Sequence, residues 1–392
     1  MGQGSDKISY MISQQLVKEN IYSQAFSEFA AREKNAPLKD WREKAFRYFS
    51  ENGFPTPRDE EWKYTNAALL PIADFKLQIT NSEIEERAAG FLKQFNFERN
   101  GFTALNLAFA NVVLVTIPKE TSVSEPIEFN FKADAGTANF PHVIVVAEAG
   151  SKATIIESYE SAGRSFTNAG VQIFVGDDAN LTHYRVQKES AESFHVGTTE
   201  IILQRGSLYN STNINLGARL SRHDIHLKFT APGGAAFVDG LYMLSGEQHS
   251  DTHSEIDHAV PNCTSHQTYK GVLNDKSRGV FNGKVFVREN ASGTDAKQSN
   301  KNLLLSNDAR VDTKPQLEIY NDDVKCAHGA TVGQLEDEEL FYLLSRGLNE
   351  TLARNLLTYG FAEEIVNKIE VESIKKQLDE AVLNRLQTNL EA

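Results

Sequence analysis

The chain has 392 residues, which is enough for two or three segments and a sizeable apolar core. Its formal net charge is −13 and it has no run rich in lysine and arginine, so we expect no binding to nucleic acid or anionic membranes. No apolar stretch is long enough to span a membrane, and the N-terminus lacks a signal-peptide pattern. With only two cysteines, Cys263 and Cys326, we expect a cytoplasmic protein with reduced thiols.

The first segment, residues 1–104, has a mainly helical pattern. Apolar residues recur at helical spacing over residues 8–52, and Pro37 divides this region into two predicted helices. A loop rich in proline and charge follows at residues 54–66. We expect Trp62 and Tyr64 to pin this loop to the body of the protein.

The second segment, residues 105–330, consists of short predicted strands that repeat at an interval of 28 residues. A turn residue recurs at Gly150, Asp178, Gly206, Gly234, Asn262 and Asn290. Three positions before each turn lies an apolar residue: Ala147, Val175, Leu203, Ala231, Ala259 and Val287. Such columns are typical of stacked coils that align equivalent side chains. The sequence therefore predicts a parallel β-helix, with an evenly turned β-sandwich or barrel as the alternative.

The third segment, residues 331–392, is again helical in pattern. The strand pattern ends near Tyr320, and a glycine-containing connector is predicted at residues 326–333. Asn349 is a predicted helix N-cap and Gly360 a predicted helix end. The predicted architecture is mainly β, a solenoid core flanked by N-terminal and C-terminal helical domains.

The densest group of potential metal ligands is in residues 248–267. Its members are His249, Asp251, His253, Glu255, Asp257, His258, Cys263 and His266. Alternate residues of a strand share a face, so His249, Asp251 and His253 are candidate ligands of a metal site with nitrogen and oxygen donors. The alternative is a row of hydrogen-bonded side chains on the solenoid. A second histidine pair, His223 and His226, cannot share a strand face at a spacing of three.

A smaller pair is formed by Cys326 and His328. On extended backbone, residues two apart lie on one face, and thiolate and imidazole suit iron–sulfur clusters or zinc. Two donors cannot close a tetrahedral site, so any metal here needs further donors. The alternative is that Cys326 is a small buried apolar residue and His328 a capping or core imidazole. The P-loop, GxGxxG, GxSxG and CxxC patterns are absent from the sequence.

The run VDTKPQLEIYNDDVKCAHGATVGQLEDEELFYLLSRGL, residues 311–348, resembles the C-terminal signature of the SufD family. These proteins are subunits of the Suf iron–sulfur cluster assembly complex. The resemblance extends through residues 280–309 and 258–271 and is echoed by DEEWKYTN at residues 59–66. It therefore covers most of the chain, more tightly over the second half.

This resemblance implies a right-handed parallel β-helix between helical domains. It implies a SufB-like β-helix paralogue paired through the last part of the β-helix, and a SufC-like ABC ATPase docked on the C-terminal helices. It also implies that a nascent cluster or iron binds transiently at the partner interface, with His328 as one donor and Cys326 beside it, and that no cofactor is tightly bound.

The function expected from the resemblance is that of a non-catalytic scaffold for cluster assembly. The alternative is a β-helix polysaccharide lyase or a metal-dependent hydrolase that uses the histidine-rich stretch 249–266. The sequence leaves open whether the chain forms a homodimer when alone.

Overall fold

The computed structural model describes residues 22–33, 36–67, 70, 74–78 and 86–387, and this part of the chain is mainly β. Consecutive strands alternate between two parallel sheets for most of the chain, so the backbone winds as a β-helix. The first sheet contains β1 (Lys76–Gln78), β2 (Asn111–Ile117), β4 (Thr137–Asn139), β5 (Pro141–Ala147), β7 (Phe166–Val175), β9 (Phe194–Leu203), β11 (Leu220–Phe229), β13 (His249–His258), β15 (Arg278–Val287) and β17 (Arg310–Ile319). The second contains β3 (Ile127–Ala133), β6 (Lys152–Ser161), β8 (Asn180–Lys188), β10 (Leu208–Asn215), β12 (Ala235–Leu244), β14 (Thr264–Leu273), β16 (Thr294–Leu304) and β18 (Val324–Gly333). The predicted parallel β-helix is confirmed.

The predicted apolar column holds for three coils and then shifts. Ala147 pairs with Val175 and Val175 with Leu203, as predicted, and all three are buried. Leu203 then pairs with Phe229, and Phe229 pairs with His258. The predicted places of Ala231 and Ala259 in the apolar column were therefore wrong. Val287 is again at its predicted position in the column, where it pairs with His258.

The shift arises because the coils differ in length. Strand β10 has 8 residues where β8 has 9, and the turn over residues 216–219 is one residue shorter than the turn over 189–193. Backbone pairing keeps interior side chains stacked, so these differences move the register relative to the sequence.

The predicted turn column shows a related shift. Backbone φ is positive at Gly150, Asp178, Gly206 and Asn262, as expected for tight turns. The other two predicted positions were wrong. Their places in the column are taken by Gly233 (φ 82°) and Gly293 (φ 73°), in place of Gly234 and Asn290.

The interior of the solenoid is apolar on one side and polar on the other. The apolar side includes Ile173, Ile201 and Leu227 in successive coils. On the polar side, Glu157 Oε1 lies 2.9 Å from His183 Nε2, and both side chains are buried. Buried charges are tolerated only when they are paired and hydrogen-bonded in this way.

The N-terminal helices cover the outer face of the first sheet. They are a helical segment at residues 22–30, α1 (Ala36–Asn52), α2 (Glu86–Leu92) and α3 (Gly101–Phe109), with short 3-10 turns at Glu60–Trp62 and Phe97–Arg99. Helix α1 begins next to Pro37, as predicted. Apolar residues of this region pack against Ile144, Phe166 and Val196 of the first sheet. The part of the predicted helical pattern that precedes residue 22 lies outside the described residues.

The C-terminal helices are α4 (Asp337–Ser345), α5 (Glu350–Val366) and α6 (Glu372–Gln387). Helices α5 and α6 cover the outer face of the second sheet, whereas no residue of α4 is buried. The predicted N-cap is confirmed, since Asn349 Oδ1 accepts a hydrogen bond of 2.8 Å from the Leu352 backbone N–H. The predicted helix end at Gly360 was wrong, because α5 continues and buries Ile365 and Val366 against the sheet.

The last coil of the solenoid is open. Strand β18 pairs with β16 over residues 324–333, so the connector predicted at 326–333 was wrong and this segment is a strand. Strands β17 and β18 stand at the ends of their sheets, and most of β18 is exposed.

Candidate functional site

Cys326 and His328 lie on β18, the edge strand of the second sheet. Cys326 pairs with Ala296 and His328 with Gln298 on β16. Because Ala296 belongs to the interior core, the two side chains share the face of β18 that looks into the solenoid. Cys326 is half-buried against that core, whereas His328 is exposed at the open end.

The thiol of Cys326 is held in its neutral form in the free chain. Burial raises its pKa above the ordinary value, and this effect outweighs a hydrogen bond from the Ala296 backbone. The other free cysteine, Cys263, is fully buried and its thiol pKa is likewise raised by burial. A cation near Cys326 would be needed to favour the thiolate that acts as a ligand.

The histidine-rich stretch forms β13 and the turn that follows it. His249, Asp251 and His253 lie on its outer face, where they meet the N-terminal loop. Thr65 Oγ1 lies 2.7 Å from His249 Nε2 and donates to Asp251 Oδ2 at 2.5 Å. His253 Nε2 lies 3.0 Å from Asp251 Oδ1. These three candidate ligands therefore hold the N-terminal loop against the β-helix.

Two other histidines of the cluster point elsewhere. His258 faces the interior, where Nε2 lies 2.7 Å from Ser265 Oγ. His266 is on the outer face of the second sheet, 3.2 Å from Asp295 Oδ1. Among the described residues, no group of three or more His, Cys, Asp and Glu side chains could hold a metal ion. The role of His249, Asp251 and His253 as metal ligands stays a prediction.

The earlier histidine pair is split as predicted. His223 faces the interior, with Nε2 2.9 Å from Thr199 Oγ1. His226 is on the opposite face of β11, toward the N-terminal domain, with Nδ1 4.0 Å from Glu255 Oε2. Neither belongs to the His328 site.

Arg222 is the centre of the contact between loop and β-helix, and sequence reasoning missed it. Its Nη2 donates to Asp224 Oδ1 at 2.7 Å and its Nη1 to Asp251 Oδ2 at 2.9 Å. Its guanidinium carbon lies 3.9 Å from the centroid of the Trp62 ring, a cation–π contact. Arg222 is only 2% exposed, so these contacts occur in a largely dehydrated setting. The sequence feature that indicated this contact was Trp62, which does hold the loop against the β-helix.

Two carboxylates of this contact, Glu61 and Asp251, have lowered pKa values. The hydrogen bond from His253 is the largest effect that lowers the pKa of Glu61, to about 2. Burial would lower the pKa of His253, but the neighbouring Asp251 outweighs it and the pKa is raised. Glu61 also pairs with Lys284 at 2.5 Å. The arrangement is a network of opposite charges that fastens the loop.

Two family models match the chain. Residues 129–361 match the SufBD core domain of the SUF system of FeS cluster assembly, and residues 13–96 match the SufBD protein N-terminal region. The first match spans more than half of the chain, which therefore belongs to the SufBD family. Membership in this family gives the chain a role in the Suf system of iron–sulfur cluster assembly.

Individual relatives agree with this assignment. An iron–sulfur cluster assembly SufBD family protein of Synechocystis is 37% identical over 84% of this chain and 76% of its own. The iron–sulfur cluster assembly protein SufD of Escherichia coli is 37% identical over 64% of this chain and 60% of its own. SufD of Bacillus subtilis is 30% identical over 72% of this chain and 66% of its own. In the part of the chain that the structure describes, no helix has the length and apolar character needed to cross a membrane.

Proposed function

We propose that this chain is a non-catalytic scaffold subunit of the Suf assembly complex. It pairs with a SufB-like β-helix paralogue through its last coil and with a SufC-like ABC ATPase through its C-terminal helices. A nascent cluster is then built at the paralogue interface, with His328 as one donor and Cys326 beside it. The cluster is cargo and is passed on.

The observation that carries this proposal is the place of His328 on an open edge strand. An edge strand presents unpaired backbone N–H and C=O groups, which another strand can pair with. Three large apolar side chains of the last coil are also exposed: Ile319 at 42%, Tyr320 at 57% and Val332 at 48%. A β-helix paralogue offers edges of the same kind, so the two solenoids can meet here.

The number of donors also calls for a partner. Cys326 and His328 are two groups, and a tetrahedral iron or zinc site takes four. His328 faces the open end of the solenoid, where groups of a second chain can approach. The thiol of Cys326 is neutral when buried in the free chain, so cation binding and thiol deprotonation would be coupled.

The C-terminal helices supply a separate docking surface. Helix α4 has no buried residue, and its Phe341 is 72% exposed and Tyr342 55% exposed. Leu352 and Leu356 of α5 are 48% and 49% exposed. These four residues form what we term the α4–α5 patch. ATP binding at a SufC-like subunit on this patch would move the paralogue pair as rigid bodies and open the cluster site.

The structure does not favour the lyase or hydrolase alternative. Its candidate residues His249, Asp251 and His253 are engaged in holding the N-terminal loop, with Asp251 1% exposed. A substrate would have to displace that loop before reaching them.

The proposal is tested by co-expression with the SufB-like and SufC-like proteins of the same organism. We expect one complex containing all three chains, and we expect His328→Ala to keep this complex but to lose its cluster. The chain purified alone shows by its mass whether it forms a homodimer. Failure of the three chains to copurify at any salt concentration would contradict the scaffold role.

A further inference from the structure

The residue directly below His328 in the solenoid is Gln298. Parallel pairing places Val238, Gln267, Gln298 and His328 at one position of four successive coils of the second sheet. Side chains at paired positions of neighbouring parallel strands lie about 5 Å apart and on the same face. The column thus begins at an apolar residue, continues through two amides and ends at the imidazole.

The two amides form a row in which the hydrogen bond is donated from the later coil to the earlier one. Gln298 Nε2 donates to Gln267 Oε1 at 2.8 Å, and Ser254 Oγ donates to the same Gln267 oxygen at 3.0 Å. Gly283, on the facing strand β15, leaves the space that this row needs. A Cβ at Gly283 would lie 2.2 Å from Gln298 Nε2.

The row leaves one acceptor unused next to His328. Gln298 is 3% exposed, and its Oε1 has no hydrogen-bond partner among the described residues. The nitrogen and oxygen of an amide diverge from the same carbon. Nε2 is directed to the preceding coil, and His328 lies at the paired position of the next coil. A buried carbonyl oxygen without a donor is unfavourable, and an imidazole N–H is the donor that the column supplies.

We propose that Gln298 is a positioning residue for His328. When the exposed imidazole of His328 turns toward the column, this side-chain carbonyl accepts a hydrogen bond from one ring N–H, which fixes the tautomer and leaves the other ring nitrogen with its lone pair toward the open end. Histidines that bind metals are commonly held in this way by a second hydrogen bond to a carbonyl or carboxylate. The value of this arrangement for cluster binding rests on the proposed function, whereas the hydrogen bond itself does not.

The hydrogen bond is tested on the full chain without iron or sulfide. The protein is labelled with ¹⁵N-histidine and the ring nitrogens are observed by NMR at about pH 8, where histidine is ordinarily neutral. The signal of His328 is assigned by its loss in His328→Ala. We expect a single dominant tautomer in the wild-type protein. A rapidly exchanging mixture at His328, as in a free imidazole, would overturn the proposal without any need for a variant at Gln298.

The variant Gln298→Met removes the carbonyl but keeps the length of the side chain. We expect it to convert His328 to a mixture of tautomers, and to lower the retention of iron in the assembled complex by about tenfold, at the low end of such second-sphere effects. The matched control is Gln316→Met on β17, whose amide Nε2 donates to Asn282 Oδ1 away from His328. We expect no change in the His328 tautomer in this control. An unchanged tautomer in a folded Gln298→Met protein would contradict the proposal.

The two proposals fail in different ways. A fixed tautomer together with normal cluster assembly in His328→Ala would leave the Gln298 hydrogen bond in place and reject His328 as a cluster donor. A mixed tautomer in the wild-type protein together with loss of clusters in His328→Ala would reject the role of Gln298 and keep that of His328.

Discussion

Glu60 Oε1 and Lys314 Nζ lie 3.1 Å apart, although 254 residues separate them in the sequence. Lys314 is on β17 in the last coil, so the N-terminal loop reaches the same coil that carries the proposed partner edge. Both side chains are exposed, and water and salt screen such a pair so strongly that it adds little to stability. The strength of the loop's attachment must therefore come from the buried contacts of Arg222 and Trp62.

The first prediction concerns Arg222. Replacing it with methionine keeps much of its volume but leaves Asp224 buried without its counter-ion and removes one of the cationic partners of Asp251. Breaking a buried ion pair in this way costs about 3–5 kcal/mol, so we expect a loss of that size in the free energy of unfolding in urea.

The matched control for Arg222→Met is Arg288→Met. Arg288 pairs with Asp257 but is 46% exposed, so the expected loss is about 0–1 kcal/mol. Equal effects of the two substitutions would show that the loop is not fastened through Arg222.

These contacts mark what the sequence could and could not reveal. Alternation and turn residues predicted the β-helix, because a strand that faces a solenoid core must repeat its apolar positions. The sequence pattern did not reveal that Phe229 takes the place of Ala231 in the apolar column, because this shift depends on the length of one strand and one turn. The spacing of Cys326 and His328 predicted their shared face. Arg222 was missed because its partners include Trp62, 160 residues earlier, and no local pattern joins them.

A second prediction concerns the pH dependence of stability. Burial lowers the pKa of His258 to about 4, and the side chain is fully buried. The unfolded chain binds this proton near pH 6.5 and the folded chain only near pH 4, so the unfolded state holds more protons between these values. The stability due to this group is present above about pH 6.5 and is lost as the pH falls to about 4, on the order of 3 kcal/mol at most.

The measurement is the free energy of unfolding between about pH 7 and pH 4 in wild type and His258→Gln. We expect the variant to lose less stability on acidification. The number of protons taken up on unfolding, which is the slope of the free energy of unfolding against pH, should be smaller by up to one. If the free energy of unfolding of His258→Gln depends on pH as steeply as that of the wild type, His258 does not contribute to the loss of stability in acid.

A third prediction concerns the α4–α5 patch. The double variant Phe341→Glu with Leu356→Glu places charges at two exposed apolar positions, so we expect the fold to persist and binding of the SufC-like ATPase to fall at least tenfold. Removing the whole C-terminal region is a poorer test, because α5 and α6 cover Tyr184 and Leu241 of the second sheet. Affinity would be measured by calorimetry with the purified ATPase.

The control for the patch is Leu383→Glu. Leu383 is 41% exposed on α6 and lies outside the α4–α5 patch. We expect this variant to bind the ATPase as the wild type does. Unchanged affinity in the double variant would place the ATPase on another surface.

The role of His328 as a donor to the nascent cluster is tested by the cluster content of the purified three-chain complex. His328 is exposed on an edge strand, so His328→Ala should leave the fold and the amount of complex unchanged. Iron and acid-labile sulfide per complex, together with the visible absorption of the cluster, should fall at least tenfold in His328→Ala and less in Cys326→Ala. Wild-type iron and sulfide in the His328→Ala complex would contradict the account.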